Sequence, residues 1–177
     1  MPNFGEIPRG LEDLKVYVLT GDVPGTAIDT PGIRALSFNI ESDSDELEGD
    51  NSVIAVARNP KRVTGSVELG KMNLAALGAF TGNTQTSSGS TPNVIISLEE
   101  SAAQSTQYVQ IVGQAPSQDQ TGSAYRVTIY KALITSGPDE SLTVNEWSTP
   151  TLDFQGVENA SGFLLKRQNY ETSAAIT

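Results

Sequence analysis

Apolar and polar residues alternate along most of this chain with a period of two, which predicts β-strands. The clearest example is Ile33–Glu41, where apolar residues alternate with serine, asparagine and glutamate. Similar patterns, rich in β-branched and aromatic residues, predict strands at Leu14–Thr20, Ser52–Arg58, Arg62–Leu69, Val94–Glu99, Thr106–Gly113, Ala124–Thr135, Thr151–Val157 and, as a short addition, Phe163–Lys166. Helices do not alternate with these strands, so we expect an antiparallel β-sandwich or barrel instead of a parallel sheet.

One short segment has helical spacing instead. Leu74, Leu77 and Phe80 recur at intervals of three, and the intervening positions are mostly alanine. Asn73 is a suitable N-cap and Gly82 a suitable C-cap. The sequence therefore predicts one short α-helix, which these three apolar side chains anchor to the sheet.

Turn-forming residues mark the connections. We expect the chain to form one domain, 1–177, in which several segments lack regular structure. These segments are an N-terminal arm at 1–13, loops at Gly21–Gly32, Ser42–Asn51 and Ser136–Pro150 (with a short β-like piece at Leu142–Val144), a linker at Asn83–Asn93, a turn region at Ala115–Ser123 and a frayed polar tail at 168–177.

Composition removes several kinds of chemistry. The 177 residues include no Cys and no His. Disulfides, thiolate metal sites, zinc hydrolases and histidine-dependent triads are therefore excluded. Carboxylate-only hydrolysis stays open by residue type, but no pair of acids stands out and there is one Trp, whereas sugar clefts usually offer several aromatic platforms. We expect no enzyme and no cofactor.

The chain is strongly acidic, with a net charge of −10 from 21 acidic and 11 basic residues. This balance opposes tight binding of nucleic acid, which needs Lys and Arg contacts to phosphate. Such a charge serves solubility, or keeps a surface from adhering to nucleic acid. The N-terminus lacks the features of a signal peptide and no apolar run is long enough to span a bilayer, so we expect synthesis in a cytoplasm and no membrane contact.

Two weak motif matches fail on inspection. Gly65, Gly70 and Lys71 have phosphate-loop spacing, but Met72 stands where Ser or Thr must hold the metal ion. The acidic run begins like a calcium loop at Asp43, yet the glycine and later ligand positions do not fit. We therefore expect neither nucleotide nor metal.

The acidic run is a candidate contact with another subunit. It offers five carboxylates on a predicted exposed loop: Asp43, Asp45, Glu46, Glu48 and Asp50. A basic cluster follows in the chain and is a candidate partner for it: Arg58, Lys61 and Arg62. If the two clusters lie at opposite ends of one subunit, they favour head-to-tail association.

The order of elements resembles the major tail tube protein of long-tailed bacteriophages. The similarity consists of a hairpin with a long loop, the segment VAVARNPKRVTGSVE, the helix LAALGAFTG, a Thr/Ser/Gly linker at Gln85–Thr91, a long strand and the C-terminal strand LDFQG. It covers roughly Leu14 to Leu165.

This resemblance implies a β-sandwich or barrel with a flanking helix, assembled as hexameric rings that stack into a hollow tube in the virion tail. Expected partners are further copies of the chain, a tape measure protein and tail terminator or distal tail proteins. Genomic DNA would pass through an acidic lumen without specific binding, and the subunit would be made in the host bacterial cytoplasm.

Lumen residues would alternate along the barrel strands, and the candidates are Ser37, Asn39 and Glu41, with Arg34 and Glu68 in addition. Closing several sheets into one barrel would remove their exposed edges. Two other interpretations remain open, namely the inner tube of a contractile tail or injection device and a non-catalytic carbohydrate-binding β-sandwich module.

Overall fold

The structure is a computed structural model and describes residues 7–42, 44–49, 52–58, 61–101, 106–118, 122–172 and 174–176. Within this part of the chain the fold is mainly β and antiparallel, with one α-helix, which confirms the predicted fold class. The first six strands are β1 (Asp13–Thr20), β2 (Val23–Asp29), β3 (Ile33–Glu41), β4 (Ser44–Gly49), β5 (Ser52–Arg58) and β6 (Arg62–Leu69). After the helix α1 (Leu74–Thr81) come β7 (Gln85–Ser88), β8 (Ile95–Leu98), β9 (Val109–Pro116), β10 (Ala124–Asp139), β11 (Thr151–Gly156) and β12 (Leu165–Tyr170).

Eight of these strands form one large sheet in the order β2-β1-β9-β10-β11-β6-β3, with β12 paired to β10. The long strand β10 lies in the middle of this order and joins the half β2-β1-β9 to the half β11-β6-β3. Its first part pairs with β9 on one edge and β12 on the other, and its last part pairs with β11. Register irregularities follow Ile129 and Ile134, and such bulges bend a strand and increase its twist.

The sheet curls around its larger hydrophobic core. Buried side chains from β1, β6, β9, β10 and β11 belong to one hydrophobic cluster, including Leu14, Val67, Ile111 and Phe154. Gly113 on β9 is so close to β3 that an added Cβ would lie 2.8 Å from Leu36 Cδ2, although β3 and β9 are not neighbours in the sheet. The β3 end of the sheet therefore folds across the core onto β9, the third strand from the other end.

The helix forms where the sequence predicts it. Asn73 Oδ1 accepts hydrogen bonds from the backbone N–H groups of Ala75 and Ala76, and Gly82 ends the helix in the left-handed conformation (φ 76°). Leu77 and Phe80 are buried in the core and Leu74 packs against it. Among the described residues, no helix is long and apolar enough to cross a membrane.

The predicted loop at Gly21–Gly32 is wrong, because it contains β2. This strand pairs with β1 and ends the sheet on that side. Pro24 is tolerated on an edge strand, where one side needs no hydrogen-bond donor. An added Cβ on Gly25 would lie 3.1 Å from the Val18 carbonyl oxygen, so glycine here permits close approach to β1. Pro24 and Gly25 are therefore compatible with a strand because of the positions that they occupy at this edge.

The predicted loop at Ser42–Asn51 is also wrong over most of its length. Ser44–Gly49 forms β4, which pairs with β5 in a two-stranded ribbon separate from the large sheet. Backbone pairing with an adjacent apolar strand thus outweighs the unfavourable β-propensity of the acidic residues. The two ends of the run, Asp43 and Asp50, lie outside the described residues.

Three smaller differences separate the predicted elements from the observed ones. Part of the predicted linker is β7, which pairs with β8. Leu142–Val144 is not a strand, whereas β10 extends to Asp139. The predicted C-terminal tail is ordered where it is described, since β12 runs to Tyr170 and Ile176 is 2% exposed against Tyr17 and Val112.

Candidate functional site

One side of the sheet carries a continuous set of polar side chains, which we call the polar face. It arises because β3, β6 and β11 pair in register, so residues opposite one another point to the same side. Its members are Ser37, Asn39 and Glu41 on β3, Thr64, Ser66 and Glu68 on β6, and Asp153 and Gln155 on β11. The alternate residues of these strands point into the core.

The centre of the polar face is a wide hollow of about 570 Å³. Ser37 and Ser66 stand opposite each other and their hydroxyls lie 2.8 Å apart. Thr135 of β10 also lines the hollow, together with Asp153 and Gln155. Its polar groups are hydroxyls, amides and a carboxylate, which suits a hydrated surface more than a cleft for a specific ligand.

A glycine lets the layer beneath this hollow pack closely. An added Cβ on Gly65 would lie 2.2 Å from the Ser37 carbonyl oxygen and 2.6 Å from the Phe154 ring. No side chain fits there, so the Phe154 ring occupies the core directly under the polar face. The packing of the core and the shape of the hollow therefore both depend on glycine at position 65.

An ion pair lies at one end of the polar face. Arg62 Nε donates to Glu41 Oε2 over 2.7 Å, and Thr64 Oγ1 donates to Glu41 Oε1 over 2.9 Å. The Arg62 hydrogen bond, and then that of Thr64, lowers the pKa of Glu41. Arg62 was predicted as an intersubunit cation, and in this structure it holds a predicted lumen carboxylate of its own chain.

A second ion pair lies at the other end. Arg34 Nη1 is 3.1 Å from Glu68 Oε1, and their side chains are 58% and 32% exposed. The strand register shifts between Ile33 and Ala35, so Arg34 departs from simple alternation and reaches Glu68. A pair this exposed contributes little to stability, about 0.2–1 kcal/mol.

These pairings make the polar face less acidic than the resemblance implies. Glu41 and Glu68 are balanced by Arg62 and Arg34, which leaves Asp153 as the unbalanced charge among the residues of the face. The structure does bring all five predicted lumen residues to one side of β3 and β6. Because of the two ion pairs, these five residues together do not carry a strong negative charge.

The described members of the predicted intersubunit clusters lie on the ribbon β4–β5 or just after it, up to the start of β6. Glu46 of β4 is exposed and stands opposite Val56 of β5, while Ser44 stands opposite Arg58. Lys61 is exposed just after the ribbon. The hairpin thus places the start of β4, at Ser44, beside the end of β5, at Arg58. The side chains of Asp45, Glu48 and Arg58 lie outside the described residues.

One open sheet edge, that of β3, adjoins the polar face. Among the described strands, β2 and β3 terminate the large sheet, so each has one edge without a strand partner. On the inner side, the Arg167 guanidinium of β12 lies 5.7 Å from the centre of the Phe38 ring of β3, although the two strands do not pair. Unpaired edges of this kind are templates for pairing with another chain.

Sequence reasoning missed a second polar cluster, on the outer side of β9 and β10. Arg126 donates from Nε and Nη2 to Gln114 Oε1 (3.1 and 2.7 Å), and its guanidinium carbon lies 4.5 Å from the centre of the Tyr170 ring. Arg126 Nη2 also donates to the Ala174 carbonyl, and Lys15 Nζ donates to that of Ile176. The one sequence feature that could have indicated this cluster is the apolar Ile176 within a polar tail. The cluster fastens the C-terminal residues to the sheet.

No protein-family model matches this chain, and no curated protein matches it. Among solved structures, the chain is similar to a chain in the six-fold symmetrised cryo-EM structure of the anti-feeding prophage baseplate. The two are 13% identical with a TM-score of 0.33, and the match covers 98% of this chain and 100% of the other. A TM-score of this size does not by itself establish a shared fold.

Proposed function

We propose that this protein is a non-enzymatic virion subunit that assembles with copies of itself into hexameric rings stacked as a hollow tail tube. The observation that carries the proposal is a polar face flanked by the open edge of β3. A free subunit with such an edge is prone to association, and edge-to-edge pairing in a closed ring would satisfy the exposed backbone groups.

The chemistry of the polar face suits the wall of a conduit. Its side chains are hydroxyls, amides and paired charges, with a slight excess of carboxylate. A surface of this kind holds water and has no excess of cations to grip phosphate, so DNA could slide past it. None of the eight residues of the face on β3, β6 and β11 is aromatic, which weighs against a sugar-binding platform.

The separate ribbon β4–β5 supports assembly in a second way. Its strands pair with each other and not with the large sheet, and Glu46, Ala55 and Ala57 are exposed. A two-stranded ribbon by itself is only marginally stable in water, so we expect it to gain contacts from a neighbouring subunit. The acidic residues of β4 keep their proposed role as intersubunit contacts, now as a strand. A tape measure protein and tail terminator or distal tail proteins are further proposed partners.

Electron microscopy of the concentrated protein tests the proposal. We expect six-fold rings or long hollow tubes, in which β3 pairs with a strand of the next copy. Uniformly small particles at every protein and salt concentration would contradict it. A reconstruction showing the polar face on the outer surface would overturn the assigned orientation while leaving self-assembly intact.

A further inference from the structure

In the loop that joins β10 to β11 (residues 140–150), the part 140–149 displays three large apolar side chains to solvent. Leu142 is 89% exposed, Val144 86% and Trp147 95%. Exposing apolar side chains in a group is unfavourable and marks an interaction site, and Trp is the residue most enriched among the energetic centres of interfaces. The loop is therefore a candidate contact that the free subunit leaves uncovered.

The loop has a defined shape. The Glu146 N–H donates to the Thr143 carbonyl over 3.3 Å, and the Ser141 and Thr143 hydroxyls lie 3.2 Å apart. Asn145 adopts a left-handed conformation (φ 65°), which asparagine tolerates better than most residues. A turn thus lies between Leu142 and Trp147, which lowers the entropy lost when the loop binds.

An apolar groove lies elsewhere on the molecule, between β3 and the paired strands β9 and β10. Its volume is about 300 Å³. The lining is mostly apolar and includes Leu11, Ala35, Leu36, Phe38, Ala115 and Tyr125. The N-terminal residues before β1 form one wall, since the Arg9 N–H donates to the Pro116 carbonyl and the Glu12 N–H to that of Gln114.

The loop and the groove lie at opposite ends of β10. Tyr125 in the groove is the second residue of this 16-residue strand, whereas the loop begins after its last residue, Asp139. A loop at one end and a groove at the other form a heterologous pair, which links copies head to tail. The partner that fits is therefore a second copy of this chain.

Charge favours the same pairing. The loop and its flank carry Asp139, Glu140 and Glu146, and residues 139–149 contain no Lys or Arg. The groove is flanked by Arg9, whose Nη1 donates to the neutral amide oxygen of Gln118 over 3.2 Å, and by Arg34. Arg34 is already paired with Glu68, so an acidic loop gains electrostatic complementarity mainly from Arg9, mostly in association rate.

We propose that residues 140–149 of one copy dock into the groove of the next, with the Trp147 indole against Phe38 and Tyr125. This contact rests on the proposed self-assembly and defines one of its interfaces. It is separate from edge pairing of β3, since it uses side chains of the loop and groove and no sheet hydrogen bonds.

A mixing experiment tests the contact, using the fluorescence of the single Trp of the chain. One full-length variant, Ala115→Glu, has a blocked groove and keeps Trp147. The other, Trp147→Ser, has an open groove and no Trp. We expect each variant alone to lack the contact, and their mixture to show a blue shift of Trp emission and a loss of acrylamide quenching that saturates at equal amounts.

Two controls separate docking from misfolding. A double variant, Trp147→Ser with Ala115→Glu, should produce no shift when mixed with the Ala115→Glu chain. Ala75→Glu places the same charge on an exposed helix position away from the groove, and it should keep the concentration-dependent shift of the unmodified chain. Circular dichroism and thermal unfolding establish that each variant folds; if Ala115→Glu does not, Ala35→Glu replaces it.

The outcomes distinguish this contact from the proposed function. Tubes without any shift in the mixture would overturn the loop contact and leave the tube. A saturating shift without rings or tubes would support the contact and overturn the tube. A shift caused by lipid vesicles, and not by the second variant, would overturn the contact in favour of membrane binding.

Discussion

The Lys131 ammonium lies 2.9 Å from the Asp22 carboxylate, although 109 residues separate the two in the sequence. Asp22 follows β1 and Lys131 lies in the middle of β10, where its ammonium is also 4.8 Å from the centre of the Tyr108 ring. The second Asp22 oxygen accepts the Ala160 N–H over 2.5 Å. One carboxylate therefore joins the β1–β2 turn, β10 and the turn after β11.

This arrangement predicts a pH-dependent part of the stability. The hydrogen bond from Lys131, and then that from Ala160, lowers the pKa of Asp22 in the folded state. Its contribution is therefore present above the unfolded pKa of about 3.9 and is lost as pH falls through the lower folded value. We expect Asp22→Asn to reduce the free energy of unfolding at pH 6 and to have progressively less effect toward about pH 2.

Urea unfolding at a series of pH values checks this expectation. Asp139→Asn removes one exposed carboxylate at the end of β10 and is the matched control for the change of charge. An equal loss of stability at every pH in Asp22→Asn would contradict the linkage and indicate a purely structural role.

Gly65 is expected to be intolerant of any side chain. Its added Cβ would lie 2.2 Å from a backbone oxygen, which cannot move as a flexible side chain can. We expect Gly65→Ala to destabilise the fold by about 3 kcal/mol or more, at the upper end for overpacking. Thermal unfolding measures this, with the neighbouring substitution Ser66→Ala as the control. A Gly65→Ala protein as stable as the control would show that β3 can shift away from β6.

The C-terminal residues are expected to stabilise the isolated subunit. Ile176 is 2% exposed, and burying such a side chain contributes about 1.5–3 kcal/mol. We expect Ile176→Ser to lower the free energy of unfolding, or to release residues 174–176 locally, and to expose Tyr17. Hydrogen exchange of the β1 and β9 amides separates these two results.

Val23→Ser serves as the control for the C-terminal substitution. The Val23 side chain is 68% exposed, so this substitution should lower the stability of the protein only slightly. Burial raises the pKa of the Tyr17 hydroxyl, so its release in Ile176→Ser should move that pKa back toward its ordinary value. A Tyr17 titration that does not change would contradict the docking of Ile176.

The polar face is expected to govern contact with DNA only in the assembled state. Asn39→Lys with Gln155→Lys adds two positive charges to this face, which in the proposed tube lines the bore. We expect tubes to form as before and to retain DNA in a salt-dependent manner, because lysine contacts to phosphate release counterions.

Thr86→Lys with Ser88→Lys adds the same charge to exposed positions on β7 and is the control for that pair. Retention of short DNA by purified tubes, measured over a range of salt concentrations, compares the two variants. Equal retention by both would mean that net charge, and not the position of the polar face, decides the binding.

Local sequence patterns were sufficient to predict those strands and the helix whose own side chains face the core. Arg62–Leu69 has the predicted bounds of β6, and α1 begins after its predicted Asn73 cap. The predicted set Ser37, Asn39 and Glu41 does share one side of β3. Alternation carries this information because successive strand residues point to opposite faces, whatever their partners are.

Sequence could not reveal the elements that exist because of their partners. β2 contains Pro24 and Gly25 and forms against β1, and β4 is rich in acids and forms against β5. The ion pairs of Glu41 and Glu68 with arginines likewise depend on strand register and a bulge. These are contacts between segments, so no local pattern contains them.

The sequence by itself determined a mainly β, antiparallel protein with one helix, no thiol or imidazole chemistry and a strong negative charge. Only the tertiary structure decided which edges stay open, that the acidic run is a strand, and that Trp147 is exposed at the far end of β10 from an apolar groove. The physical reason is that side-chain alternation is set within a strand, whereas edges, registers and grooves are set by hydrogen bonds and packing between distant segments.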